Sequence, residues 1–214
     1  MIDMREFYEN QLEELHSALI TMGNTCQKSI ENTSEALILN DKKLASKVMK
    51  QSTKISQQER DIEGKCMNLL LLQQPMAGDF RQVSAALKII TDMERIGIQA
   101  GDIAEILLTD DVGLEASKIP LQKMADETIQ MLKDSMDALV NNNLELARAT
   151  VRHDDVVDQL FNDILHQLSS VDIPDSQRLN QLMIAKYYER IGDHSVNIAN
   201  WVIYSIRGKH ANID

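Results

Sequence analysis

The four residues Glu94-Arg95-Ile96-Gly97 return 95 positions later as Glu189-Arg190-Ile191-Gly192. The likeness extends to both sides: residues 87–105 set against 182–200 give eight identities in nineteen positions. Further upstream, Ala36-Leu37, Asn40 and Leu44-Ala45 match Ala138-Leu139, Asn142 and Leu146-Ala147 at an offset of 102. The seven-residue difference between the two offsets falls near the break before each half's last helix, where a change of length costs little. A duplication of this kind confines the fold, because whatever unit one half forms the other must form too.

That unit is helical. Apolar residues recur at three and four spacing along nearly the whole chain, and strand-like alternation is absent. Eight Gly and three Pro in 214 residues are too few to punctuate the turns of a sandwich or barrel. With aromatics at 4 %, the core must be aliphatic, built from Leu, Ile, Ala and eleven Met. Six helices are predicted. The first spans Met4–Leu39, and the second ends near Gln73-Gln74, before Pro75 and Gly78. Asp79, with Gln82 as its capping-box partner, opens a third that reaches Leu108. The others span Leu121–Val140, stopped by Asn141-Asn142-Asn143, then Leu144–Ser170, and 176–207 after Pro174. Residues 109–113, running on to Pro120, read as a linker. The expected fold is all-α, two tandem three-helix bundles over residues 1–110 and 120–214.

Charge narrows the partners. Thirty-three acidic against 22 basic residues give −11, which repels phosphate backbones, and the reading finds no Lys/Arg cluster to compensate. No nucleic acid is expected; cations or basic protein patches suit such a surface. Cys26 and Cys66 stand forty residues apart, outside any zinc-ligand spacing, and read as reduced thiols of an intracellular protein. The longest apolar run, residues 69–72, falls far short of the ~20 that span a bilayer. Acidic residues Asp3, Glu6 and Glu9 replace the apolar stretch of a signal peptide, so a cytoplasmic location is expected.

The chemistry concentrates in two helices. Residues four apart on a helix drift by only about 40°, so Glu189, Asp193 and Asn197 form one polar stripe. Ala185, Gly192 and Val196 flank it, while Ile184, Ile191 and Ile198 face inward. On the fifth helix Asp154, Asp155 and Asp158 make a second group, bordered by Val151, Phe161 and Leu165. Carboxylates one turn apart repel unless neutralised, and a divalent or trivalent cation can do so. If the fifth and sixth helices are antiparallel neighbours, both groups face the same ion; the competing reading is a solvated acidic face. In the first half Glu94 matches Glu189, but Ile98 stands in the place of Asp193, and Ser52, Thr53 and Ser56 in those of the three aspartates. Asp102, opposite Asn197, returns one charge, so a cation site there is expected to be degraded. Glu13 with His16, imitated by Asp163 with His166, has the Glu-x-x-His spacing of carboxylate-bridged metalloenzymes. Such a centre needs two full copies and two further Glu, and only one copy is present. Serine-nucleophile and phosphate-loop motifs are absent.

The segments Tyr188-Glu189-Arg190-Ile191-Gly192-Asp193-His194, Asn197-Ile198-Ala199 and Trp201-Val202-Ile203-Tyr204 resemble the C-terminal motif of the PhoU family. Gln73-Gln74-Pro75, Gly78-Asp79-Phe80-Arg81 and residues 92–97 resemble its N-terminal counterpart. The resemblance implies a pair of three-helix bundles and a cytoplasmic, non-enzymatic regulator of phosphate uptake. It implies an adaptor between the phosphate ABC transporter and the sensor histidine kinase, repressing the phosphate-starvation response when phosphate is plentiful. It also implies a homodimer, with at most peripheral membrane association through partners. Acidic E/D-x-x-x-D motifs in the family hold iron or other metals. Carried over, they fall on Glu189 with Asp193 and on Asp154 with Asp158, with Asp155 and Asn197 alongside. The expectation is one site for iron, zinc or manganese in the second bundle and a weak or absent one in the first. The reading kept beside it is a carboxylate-bridged metalloenzyme on a helical bundle.

Overall fold

A computed structural model describes residues 4–72, 77–114 and 119–208, and every regular element among them is a helix. In chain order these are α1 (Met4–Leu39), α2 (Lys42–Leu72), α3 (Ala77–Thr109), α4 (Leu121–Val140), α5 (Leu144–Ser170) and α6 (Asp175–Arg207). The predicted break at Gln73-Gln74-Pro75 lies outside the described residues.

Asparagine makes the two short turns, and it makes them at equivalent places. Asn40 and Asn142, 102 residues apart, adopt φ of 50° and 49°, a left-handed conformation Asn tolerates better than most residues. The next residue caps the following helix in each case. Asp41 Oδ1 accepts from the backbone N–H groups of Lys43 (2.8 Å) and Leu44 (3.1 Å), and Asn143 Oδ1 from that of Leu146 (3.1 Å). At the chain's end Gly208, φ 71°, donates to the Tyr204 carbonyl and stops α6. One expectation needs correction. The helix α3 starts at Ala77, so Gly78 is helical and Asp79 lies in the first turn rather than capping it. Its carboxylate is drawn instead to Arg5 Nη1 of α1, 2.9 Å away, a pairing no local pattern announces. The linker, in its described part, is not loose: Gln177 donates to Asp111 Oδ2 (3.0 Å) and Gln181 to the Val112 carbonyl (2.7 Å).

Helices α1, α2 and α3 pack on one another, as do α4, α5 and α6. The halves then meet through α3 against α6 and α1 against α4, and the buried apolar side chains of both form one continuous core. His194 and Asn197 of α6 lie against Asp92 of α3, while Arg190 and Tyr187 lie near Asp102, so α3 and α6 run antiparallel. Deeper in, the Tyr188 hydroxyl, fully buried, lies 3.1 Å from Thr33 Oγ1 of α1. Ile184, Ile191 and Ile198 are fully buried as their spacing requires.

The repeat equivalence holds at the level of contacts. A methyl group added to Gly97 would meet Ile55 of α2, and one added to Gly192 would meet Val157 of α5. Ile55 and Val157 are themselves 102 residues apart. Each half therefore places a small residue of its last helix against a β-branched side chain of its middle one. Cys26 and Cys66 are free and buried, and burial drives both thiols upward, Cys66 to about 12.

Candidate functional site

The α5/α6 face is built on that Gly192 contact. Without a side chain at 192, α5 comes close enough for Asp154 Oδ1 to lie 3.6 Å from where a Cβ would stand. Val157 and Ile164 anchor α5 inward, Ile191 and Ile198 anchor α6, and the carboxylates follow on the outer side of each helix. Asp158 and Asp193 are exposed and Asp154 is half-buried. The pairing of Asp154 with Gly192 and of Phe161 with Lys186 shows α5 and α6 to be antiparallel, the condition the sequence left open.

Asp154 is the electrostatic centre of this face. Burial, then the charges of Asp158, Asp193, Asp155 and Glu189, push its carboxyl up to about 6. Asp193 is raised too, by burial and by Glu189 and Asp158, against the pull of Lys186 and His194. Five of the six predicted residues are thus brought together. The sixth, Asn197, is turned toward α3, where Nδ2 donates to Asp92 Oδ1 at 3.1 Å. Lys186 belongs to the face and was not anticipated. Its ammonium donates to Glu189 Oε1 at 2.6 Å and lies 5.3 Å from the centre of the Phe161 ring. The signal was there, because Lys186 stands three residues before Glu189. Glu189 Oε2 is buried and, at 2.5 Å, is held by the same Lys186 ammonium as an ion pair. No three His, Cys, Asp or Glu side chains among the described residues converge on a point as a metal shell would. They share a face without closing on one another, as repelling charges do.

The first-half counterpart carries other residues. Ser52 packs beside Gly101, its Oγ 3.1 Å from where a Cβ would stand, and Ile98 brings no charge. The sequence reading missed Glu59, whose carboxyl is raised by burial and by Glu94 and Glu63. Glu13, His16, Asp163 and His166 are all exposed, whereas a carboxylate-bridged centre projects into a bundle core.

The family model described as "PhoU domain" matches residues 4–107 and 121–202, one match on each half. The chain belongs to the PhoU family. Among its PhoU relatives, a "Phosphate-specific transport system accessory protein PhoU homolog" from Clostridium acetobutylicum is 36 % identical, covering 98 % of this chain and 99 % of the relative. A homolog of the same description from Aquifex aeolicus is 33 % identical over 95 % of this chain and 96 % of its own. The crystal structure of PhoU from Pseudomonas aeruginosa superposes with a TM-score of 0.88 at 30 % identity, covering 94 % of this chain and all of that one. The relatives of this PhoU chain are named as accessory proteins rather than as enzymes. No helix among the described residues is long and apolar enough to cross a membrane.

Proposed function

We propose that this chain is a non-enzymatic accessory protein of a phosphate-specific transport system. It works in the cytoplasm as a homodimeric adaptor between the phosphate ABC transporter and a sensor histidine kinase, and represses the phosphate-starvation response when phosphate is plentiful. Full-length likeness to relatives bearing that accessory name supports this reading. The repeats, residues 1–110 and 120–214, are its two units. Deleting the chain in its own host should raise the output of a phosphate-starvation reporter in phosphate-rich medium; unchanged output overturns the regulatory role.

The same proposal places a metal on the α5/α6 face, held by Glu189, Asp193, Asp154 and Asp158, with Asp155 and Asn197 at its border. The carrying observation is geometric: the close approach of α5 to α6 at Gly192 sets Asp154 of α5 on one face with Glu189 and Asp193 of α6. There burial and then four neighbouring charges push its carboxyl up to about 6. The donor chemistry fits a hard cation, since every charged donor is a carboxylate oxygen. Iron or manganese suits such a set better than zinc, which favours nitrogen and sulfur. A bound cation would supply the positive charge that cancels the repulsion and ties α5 to α6. Lys186 partly plays that part for Glu189 already. Metal content of untagged protein, measured by plasma mass spectrometry beside Glu189→Ala/Asp193→Ala, tests it. Metal bound by the parent and lost in the variant supports the site; neither protein holding metal returns the face to solvated carboxylates.

A further inference from the structure

The α5/α6 carboxylates have an electrical opposite on α2. The absence of a Lys/Arg cluster expected from the charge balance needs correction: from residue 42 to residue 58 the chain carries five Lys and no Asp or Glu, within a protein whose net charge is −11. Lys43, Lys47, Lys50 and Lys54 fall at i, i+4, i+7 and i+11, one line along the helix about 16 Å long. All four are exposed. They lie on the side of α2 away from Ala45, Val48, Ile55 and Ile62, which are buried. Among the described residues none of the four enters an ion pair. Asp41 is occupied in capping the helix, and the row ends where Asp61 takes the next position, bonded by Gln57. The equivalents in the second half, Glu145, Ala149, Arg152 and Val156, do not repeat it.

We propose that this lysine row docks the protein on an anionic bilayer surface. Protein interfaces are depleted in Lys and centre on a desolvated aromatic, apolar or Arg anchor. The row has no aromatic or Arg anchor: Ser46, Thr53 and Gln57 flank it, and the single exposed apolar side chain in the stretch, Met49, stands alone among them. A plane of lipid phosphates demands no anchor and no register, only several ammonium groups that reach one surface together. A straight helix face supplies that arrangement. Screening within about 8 Å at physiological salt confines the repulsion from the acidic remainder while the row is in contact. The inference stands apart from the phosphate-system reading and from the metal.

The test is co-sedimentation of the full chain with phosphatidylcholine vesicles, with and without 30 % phosphatidylglycerol, at low and high salt. The protein is expected to bind the phosphatidylglycerol vesicles at low salt only, and the neutral ones not at all. Each Lys→Gln change should weaken binding about fivefold, and K43Q/K47Q/K50Q/K54Q by two orders of magnitude or more. The Lys→Arg quadruple variant should bind as the parent does. K28Q/K88Q/K123Q/K133Q, which removes the same charge elsewhere, should still bind. Thermal melts verify folding, which four exposed, unpaired lysines should leave unchanged. No vesicle binding by the parent overturns the proposal. So does equal loss in both Gln variants, or lysine-dependent binding of poly-glutamate without vesicle binding, which would assign the row to an acidic protein.

Discussion

Gly97 against Ile55 and Gly192 against Val157 are the same contact made twice, yet the faces above them have parted. Over the second contact stand Asp154, Asp158, Glu189 and Asp193; over the first stand Ser52, Ser56, Glu94 and Ile98. The duplicated scaffold kept what the core needs, because an altered packing residue is felt at once. Exposed positions carry no such penalty, and there the halves acquired different chemistry: carboxylates on α5/α6 and a lysine row on α2.

The packing contrast can be broken first, and most strongly. A methyl group at Gly97 would approach Ile55 Cδ1 and Cγ2 to 2.9 Å, inside a buried contact with no slack. Gly97→Ala should cost about 1–3 kcal/mol. At Gly192 the nearest atom, Val157 Cγ1, is 3.4 Å away, an ordinary contact. Gly192→Ala should therefore be neutral or gain up to about 1 kcal/mol from helix propensity. Thermal melts resolve this, at roughly 2–4 °C per kcal/mol for this length; equal loss at both sites would dissolve the asymmetry.

Next comes cation-linked stability. Added Mn²⁺ at a hundred times its dissociation constant should stabilise the parent by about 2.7 kcal/mol. Asp154→Asn/Asp158→Asn should abolish the shift, and Ser52→Ala/Ser56→Ala should leave it intact. Loss of the shift in the serine variant would place the ion on the wrong half.

The seam between the halves follows. Asp92 Oδ1 meets both His194 Nδ1 (2.9 Å) and Asn197 Nδ2 (3.1 Å). Asp92→Ala should cost about 1–2 kcal/mol in denaturant melts by releasing both. No loss would mean that apolar packing alone holds α3 to α6.

The smallest effect is in pH. Asp154 titrates near 6 in the folded protein against 3.8 for the ordinary side chain, so the folded state keeps a proton that the unfolded state has lost. In metal-free protein its contribution to stability is full below pH 4 and falls as pH rises toward 6. The group is half-exposed, so screening holds the change below about 1 kcal/mol. Asp154→Asn should flatten that part of the profile, and an unchanged profile would remove Asp154 as its source.

The sequence reached far into this fold where the signal was local. The 3.6-residue periodicity and the Asn-Asp and Asn-Asn turns marked five of the six helix starts to within a residue or two. Asp79 misled, because an acidic residue three before Gln82 looks like a cap, and only the approach of Arg5 from 74 residues away reveals its partner. The carboxylate pairs were legible as four-residue spacings, but not their assembly. Asn197 seemed to extend their stripe until α3 brought Asp92 beside it. Glu59 was invisible for the same reason, being marked only by the nearness of Glu94 on another helix.

What the sequence by itself determined was the repeating unit: helix lengths, turns, inward faces and the residues on which the halves differ. These follow from the fixed geometry of one helix, where each residue turns by about 100° whatever surrounds it. Only the tertiary structure decided which faces meet. The antiparallel run of α5 on α6, the α3–α6 seam and the press of four charges on Asp154 depend on helices distant in sequence, and no period within one helix encodes its neighbour.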